Sequence, residues 1–518
     1  MCGLFYMNWE QQFIRPPSTE DILRYGSKHG IRLTDDEASE YADLIESKMG
    51  VLGQLETLPS SSPTSKIHHT KRQTGYRPSP SEDPLNAFVR RCVVDGAETG
   101  PLSGTTVGVK DNIAVAGIEL TAGSKAFEGF VPSFDATVIT RLLEAGAEVV
   151  GKTNLDELAV SGSGEPTATG PILNPHSDQH LAGGSSGGSA VAVVEGDVDH
   201  ALGTDQAGSI RTPASWCGCV GHKPTYGLVP YTGCLPGGPT YDHTGPMATS
   251  VETCAKALEV LAGPDGIDHR QPVQSSDEYV ENLGQSPDNF SIGVVSEGFD
   301  LEHSEQVVDE SVREALSEFE STGADVTDIS VPWHEDGVLV WLGVAWGESA
   351  ALLRDNGQGY YHSGPYFTQL LRQVDSIMES RINEFGPTVT LKILMGEYLR
   401  SEHGGYYHAK AQNLRRELRA AYDEALAEVD VLALPTTPTT AFEIEEELTD
   451  AELVRRAQGK KGRTRNTMPF NMTGHPAISV PCGESDDGLP VGMMFVGQRF
   501  DDATVLAAAE AFERHVGS

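Results

Sequence analysis

Between Leu181 and Met247, glycine and serine accumulate inside a chain whose other segments carry strand and helix patterning. The stretch contains Leu181-Ala-Gly-Gly-Ser-Ser-Gly-Gly-Ser-Ala190, Gly203-Thr-Asp-Gln-Ala-Gly-Ser-Ile-Arg-Thr-Pro213 and Gly221-His-Lys-Pro-Thr-Tyr-Gly-Leu-Val-Pro230. So much Gly and Ser within an ordered body implies unusual backbone angles and close approach of main chain to a ligand. Around it, short apolar strands are expected at Thr105–Val109, Glu148–Val150, Ser291–Val295, near Val326–Val331, at Val429–Leu434 and at Gly492–Val496. Helices are expected from Asp135 to about Ala145, over Ala190–Val194, Val307–Phe319, Leu414–Ala427 and Ala503–His515. The alternation predicts an α/β protein with a large sheet covered by helices.

Two helical patterns precede that body. The first follows Pro16-Pro17-Ser18-Thr19 with Glu20 and Asp21 in its first turn, and the second runs from Thr34 to Met49. Residues 57–84 turn to Ser, Pro, Thr and basic residues and read as a linker. The expected division is a helical N-terminal unit with its linker over 1–84 and a larger body over 85–518.

Charge narrows the partners. The 75 Asp and Glu against 37 Lys and Arg give a formal net charge of −38. Nucleic acid as a direct partner, or an anionic membrane surface, would need a clustered basic face instead. The acids are spread along the chain with only short clusters such as Glu443–Glu447, which points to whole-surface acidity of the kind suited to a high-salt cytoplasm. No run is read as long enough for a membrane span. The first residues lack a basic segment leading into an apolar one, so no secretory signal is expected and the location is read as cytoplasmic. Seven cysteines without a framework suit a reducing compartment. Cys217-x-Cys219 with Cys234 lacks the second paired motif of a metal site, so no metal and no cofactor are expected. Cys2-Gly3 matches the start of N-terminal-nucleophile amidotransferases after Met removal, but nothing downstream supports that reading, and a start at Met7 would delete it.

Several site readings can be compared on the glycine-rich stretch. A phosphate loop fails because no Lys follows these glycines. A dinucleotide fingerprint fails because Thr167 stands where the third Gly after Gly162-Ser163-Gly164 belongs. Gly184-Ser185-Ser186-Gly187-Gly188 satisfies Gly-x-Ser-x-Gly, but that motif needs a strand before it, and Asn174–His180 is read as no strand. What remains to weigh is a Ser–Ser–Lys site, against the plainer reading of Lys110 as a surface residue or salt-bridge partner. The strand ending in Gly108-Val109-Lys110-Asp111-Asn112 puts Lys110 at a carboxyl edge, where α/β sites lie.

At these residues the chain resembles the amidase signature family. Val107–Asn112, Gly183–Ala190, Asp205–Pro213, Gly221–Pro230 and Asp242–Met247 match in order and with suitable separations. The resemblance runs from about residue 20 onward and is strongest over 85–250 and 465–515. It implies a large mixed sheet with helices on both faces. It also implies Ser209 as nucleophile, Ser185 as bridging serine on a cis Gly184–Ser185 peptide, and Lys110 as base. A serine hydroxyl needs such a base within hydrogen-bond reach, and lysine serves only if burial lowers its pKa from ~10.4. The implied oxyanion donors are the backbone N–H groups of Gln206, Ala207, Gly208 and Ser209. Ala207 stands where many members have Gly, and an ordinary φ is expected there. Asp205 and Arg211 read as an ion pair bracing the loop, while His222 and His243 are expected to pack or bond locally.

Within the family, the chain looks closest to free-standing bacterial amidases of the nitrile-degradation type. The residues that suggest it are Asp205-Gln206, Tyr231-Thr232-Gly233, Asp242-His243-Thr244-Gly245-Pro246 and Thr473-Gly474-His475-Pro476. That resemblance implies hydrolysis of small amides to acid and ammonia, and a homodimer to which the N-terminal helices contribute. The rival is the A subunit of a glutamyl-tRNA amidotransferase, which uses the same triad to feed ammonia to a partner. A non-catalytic scaffold is disfavoured because all three triad positions are filled. Trp341, Trp346, Tyr360, Tyr361, Phe367 and Tyr398 are candidates either for an acyl pocket or for ordinary core.

Overall fold

The computed structural model describes residues 15–52, 67–272, 278–354, 366–445, 448–457 and 462–516. Cys2, Met7, Tyr360, Tyr361 and the end of the Glu443–Glu447 cluster lie outside them. The chain divides after Ser62 into two units. In the first, helix Thr19–Lys28 is closed by a reciprocal cap. Asp21 N donates to Ser18 Oγ at 3.2 Å, and Ser18 N donates to the Asp21 carboxylate at 3.0 Å. Helix Asp35–Leu52 repeats the device with Thr34 and Glu37. Ile22, Ala38 and Ala42 bury the seam between the two helices.

Among its described residues the second unit has fourteen strands: β1 (Arg72–Tyr76), β2 (Phe88–Val94), β3 (Thr106–Lys110), β4 (Glu148–Thr153), β5 (Leu173–Asn174), β6 (Ser177–Leu181), β7 (His200–Asp205), β8 (Val220–Lys223), β9 (His243–Ala248), β10 (Ser291–Val295), β11 (Asp325–Ile329), β12 (Val431–Pro435), β13 (Ala477–Glu484) and β14 (Pro490–Gly497). Twelve of them form one mixed sheet in the order β1-β2-β4-β3-β7-β9-β8-β13-β14-β12-β10-β11. β3 runs parallel to β4 and β7, and β10 runs parallel to β11 and β12. The remaining sheet pairs are antiparallel, β7 with β9 and β13 with β14 among them.

Both faces are covered. Successive residues of β7 point to opposite faces, so Leu202 enters the larger core and Ala201 the smaller one. Helices Thr137–Glu144, Val251–Leu261, Gln306–Ser321 and Asp502–His515 contribute to the larger core. Helices Gly187–Val194 and Arg211–Cys217 fill the smaller one. Every residue of β7, β8, β9, β12 and β14 is consequently buried.

Three expectations are corrected. Arg72–Tyr76, read as linker, is an edge strand of the sheet, held where the Arg72 guanidinium grips Asp135 through bonds of 2.8 and 2.6 Å. Asn174–His180 is not strandless, because β5 and β6 pair as a small hairpin ahead of the serine pair. Finally, helix Trp333–Arg354 is long and apolar enough, by length and composition, to cross a membrane. The acids Glu335, Asp336 and Glu348 break its apolar run in sequence. In the fold this helix places Trp341 against the loop that follows β7.

Candidate active site

Lys110 is the last residue of β3, between two parallel neighbours, and its side chain is fully buried. Its Nζ lies 2.8 Å from Ser185 Oγ, 2.8 Å from Ser186 Oγ and 2.9 Å from Thr204 Oγ1. Burial pushes its pKa from 10.5 down to about 7, although the charges of Asp156 and Asp205 pull it back up. The amine is therefore poised to exchange a proton near neutrality.

Ser185 sits in the turn between β6 and helix Gly187–Val194, and the Gly184–Ser185 peptide is cis. Only glycine fits at 184, where a Cβ would stand 2.2 Å from Asp156 Oδ1. Asp156 is itself buried and accepts the N–H groups of Ser163 and Gly164 at 3.1 and 3.0 Å. Ser186, to which sequence alone assigns no role, touches Lys110 as closely as Ser185 does. Its hydroxyl also donates to Thr204 O at 3.1 Å and accepts from Thr204 N at 3.3 Å, which locks it to the end of β7. Although a strand, a turn and a helix surround it, Ser186 is fully buried and bonds to no histidine, so an elbow serine is not what this position provides. Its adjacency to Ser185 was the only available signal.

Ser209 lies between β7 and helix Arg211–Cys217 and lines a pocket of about 80 Å³. Its carbonyl accepts Ser186 N at 3.0 Å, a main-chain bond that joins the two serine loops. The structure thus brings Lys110 and Ser185 into direct contact. Ser209 stands beside them across the joined loops, with no hydrogen bond to its hydroxyl among the described residues.

One carboxylate organises the loop after β7. Asp205 accepts Gly208 N at 2.7 Å, Ile210 N at 3.1 Å, Arg211 Nε and Nη2 at 3.0 Å each, and Asn471 Nδ2 at 2.9 Å. Burial alone would raise its pKa, but the Arg211 guanidinium holds it well below the usual carboxylate range. This arrangement revises one implied role: the Gly208 N–H is turned toward Asp205. The N–H groups of Gln206, Ala207 and Ser209 have no acceptor among the described residues. Gly208 carries the unusual backbone of the loop, at φ +123°, with Thr467 Oγ1 only 2.3 Å from where a Cβ would be. Ala207 has no positive φ, and its carbonyl accepts Thr467 Oγ1 at 2.6 Å.

The rest of the surroundings comes from residues that sequence alone leaves open. Trp341 donates Nε1 to Gln206 O at 2.7 Å, and both Trp341 and Trp346 line the pocket. Phe367 instead stacks on Phe134 at 4.6 Å, and Tyr398 is 56% exposed. The Gln206 amide donates to Tyr231 Oη and Asp242 Oδ1 at 3.0 and 3.1 Å. Burial pushes the Asp242 carboxyl up to about 7. His243 bonds locally, with Nδ1 2.8 Å from Tyr241 O, whereas His222 reaches Asp502 at 3.1 Å on the final helix. Cys217, Cys219 and Cys234 are buried free thiols. Among the described residues no group of His, Cys, Asp and Glu is disposed to hold a metal ion.

A buried amine of lowered proton affinity, a hydroxyl against it, a pocket serine and unengaged N–H groups form a set suited to acyl transfer. The family model described as Amidase matches residues 88–506. The enantioselective amidase of Rhodococcus rhodochrous is 38% identical over 514 residues, covering 98% of this chain and 97% of that protein. The A subunit of the glutamyl-tRNA(Gln) amidotransferase of Haloarcula marismortui is 40% identical over 434 residues, 82% of this chain and 99% of its own. The crystal structure of the corresponding Thermotoga maritima protein superposes with a TM-score of 0.69 at 34% identity, covering 83% of this chain and 88% of that one. Sequence and architecture agree, and the chain belongs to the amidase family, hydrolases acting on amides.

Proposed function

We propose that the protein hydrolyses small carboxylic acid amides through an acyl-enzyme on Ser209. The observation that carries this reading is the 2.8 Å approach of Lys110 Nζ to Ser185 Oγ, on a loop whose next residue bonds the carbonyl of the pocket-lining Ser209. Ser209 Oγ bonds to the amide carbon and the carbonyl π pair moves onto oxygen. The Ser209 proton passes to Ser185, which gives its own to the Lys110 lone pair. The N–H groups of Gln206, Ala207 and Ser209, which no acceptor among the described residues engages, are the proposed donors to the oxyanion. As the C–N bond breaks, Lys110 returns the proton through Ser185 to the departing nitrogen. Water then repeats the sequence and expels Ser209. The pocket, at about 80 Å³, is well below the ~300–1,000 Å³ typical of drug-sized sites, which suits a short acyl group.

A specific observation keeps a second reading in view, since the haloarchaeal amidotransferase protein is as similar over its shared length. The amidase from Rhodococcus extends that similarity across the N-terminal helices as well, which favours an autonomous enzyme. The acid excess supports a high-salt cytoplasm as its setting. The resemblance to free-standing bacterial amidases supports a homodimer, which sedimentation in molar salt would test.

Ammonia release from acetamide, butyramide, benzamide and glutamine in molar KCl distinguishes the readings. Turnover of the simple amides that is lost in Ser209→Ala, with an unchanged circular dichroism spectrum, is the expected result. Activity confined to glutamine would transfer the chemistry to the amidotransferase role, and full activity in Ser209→Ala would refute the mechanism.

A further inference from the structure

The pocket wall carries a charge that the hydrolysis above does not use. Lys392, on helix Pro387–His403, lines the same pocket as Ser209 and is only 7% exposed. Its Nζ donates to Ser349 Oγ at 2.9 Å and stands 5.6 Å from the centroid of the Trp341 ring. Trp341 is the indole that bonds Gln206 O in the nucleophile loop, so one ring separates this ammonium from the reacting end. Lysine is almost never buried without a partner, because an unpaired buried charge loses its hydration uncompensated. Yet among the described residues no carboxylate pairs with Lys392, and burial lowers its pKa to about 8. At neutral pH it is still mostly charged. The described residues lining the pocket include a second cation, Arg463, and no Asp or Glu at all, in a chain with twice as many acids as bases. Arg463 differs in having the charges of Asp156 and Glu165 nearby. Among the described residues, Lys392 is thus the pocket cation without a counter-charge, open to one brought by a ligand.

We infer that Lys392 is a specificity-determining residue that pairs with an anionic group on the acyl part of the substrate, so that the preferred amides are monoamides of short dicarboxylic acids. The inference rests on Ser209 being the nucleophile of this pocket. A carboxylate at the far end of the acyl chain would take the free N–H groups of Lys392 while the amide carbonyl reached Ser209. The surface charge of the chain opposes entry of an anion, but molar salt screens that long-range field and leaves a buried contact largely intact.

Succinamate and butyramide provide the test, because they share a carbon chain and differ by a carboxylate in place of a methyl. In molar KCl at pH 7, kcat/KM for succinamate is expected to exceed that for butyramide by at least about tenfold. Lys392→Met should collapse the ratio toward one, and Lys392→Arg should keep most of it. The wild-type ratio needs no variant to fold, so a preference for butyramide overturns the inference outright. A ratio unchanged in a folded Lys392→Met protein also overturns it. Failure to hydrolyse either amide would instead strike at the reading of Ser209.

Discussion

Acidifying the reaction from pH 8 to pH 5 should silence the enzyme through Lys110. The amine acts as a base only when neutral, and burial brings its pKa to about 7. The neutral fraction is then about 0.9 at pH 8 and about 0.01 at pH 5, so kcat/KM for butyramide should fall roughly 90-fold. Without the shift, only about one lysine in 3,000 would be neutral at pH 7, so desolvation contributes on the order of 5 kcal/mol toward the reactive state. The sign is fixed by the charge type: burial disfavours the ammonium, so activity rises with pH and levels off above about 8. Asp242, pushed up to about 7 beside Gln206, could produce a limb at the same place. Two substitutions separate them. Asp156→Asn removes the carboxylate whose charge most strongly raises the Lys110 pKa, so the limb should move to lower pH. Asp242→Asn should leave the limb where it is. Initial rates of ammonia release between pH 5 and 9, at constant ionic strength, provide the measurement. A rate that is flat down to pH 5, or a limb that moves with Asp242 and ignores Asp156, would refute the assignment of Lys110 as the base.

Other expectations follow from contacts described above. Gly208→Ala places a methyl 2.3 Å from Thr467 Oγ1 at a φ of +123°, so the loop must shift, and kcat/KM should drop by about 100-fold or more; wild-type kinetics would contradict the described loop. Arg72→Met breaks a nearly buried pair with Asp135, exposed only 11% and 7%, and should cost about 3 kcal/mol, read as an apparent Tm lower by about 3–6 °C. An unchanged melt would mean that β1 contributes little to the body. Raising KCl from 0.1 to 2 M should raise the apparent Tm, because a net charge of −38 repels itself until it is screened. A Tm independent of salt would remove the argument for a high-salt setting.

Parts of this structure could be read directly and parts could not, for identifiable reasons. β10, at Ser291–Val295, appears where expected because its apolar run is buried on both faces. The central strands β7, β8 and β9 carried no comparable signal, since close approach replaces side-chain bulk there. A Cβ at Gly203 would meet Ser186 Oγ at 2.9 Å, and one at Gly221 would meet Ala214 Cβ at 2.7 Å. Lys110, Ser185 and Ser209 are singled out through the resemblance of their motifs to the family, and the contact of the first two is what the fold adds. The engagement of the Gly208 N–H by Asp205 was not, since it depends on a turn that only the folded loop defines. Nor could sequence spacing reveal that Trp341 or Lys392 would come to the same pocket. The apolar helix Trp333–Arg354 escaped notice because its acids interrupt the run, although only a third of its membrane-length window is buried.

The bracing of Asp205 has a consequence for the making of the enzyme. Asn471, 266 positions further along the chain, bonds the carboxylate that orders the loop after β7, and Thr467 holds the Ala207 carbonyl of the same loop. A ribosome that has translated the lysine and both serines has therefore not yet supplied the clamp that arranges them. A nascent or truncated chain lacking that late segment carries Lys110, Ser185 and Ser209 without the bonds that brace the loop after β7, so it is expected to release no ammonia from an amide.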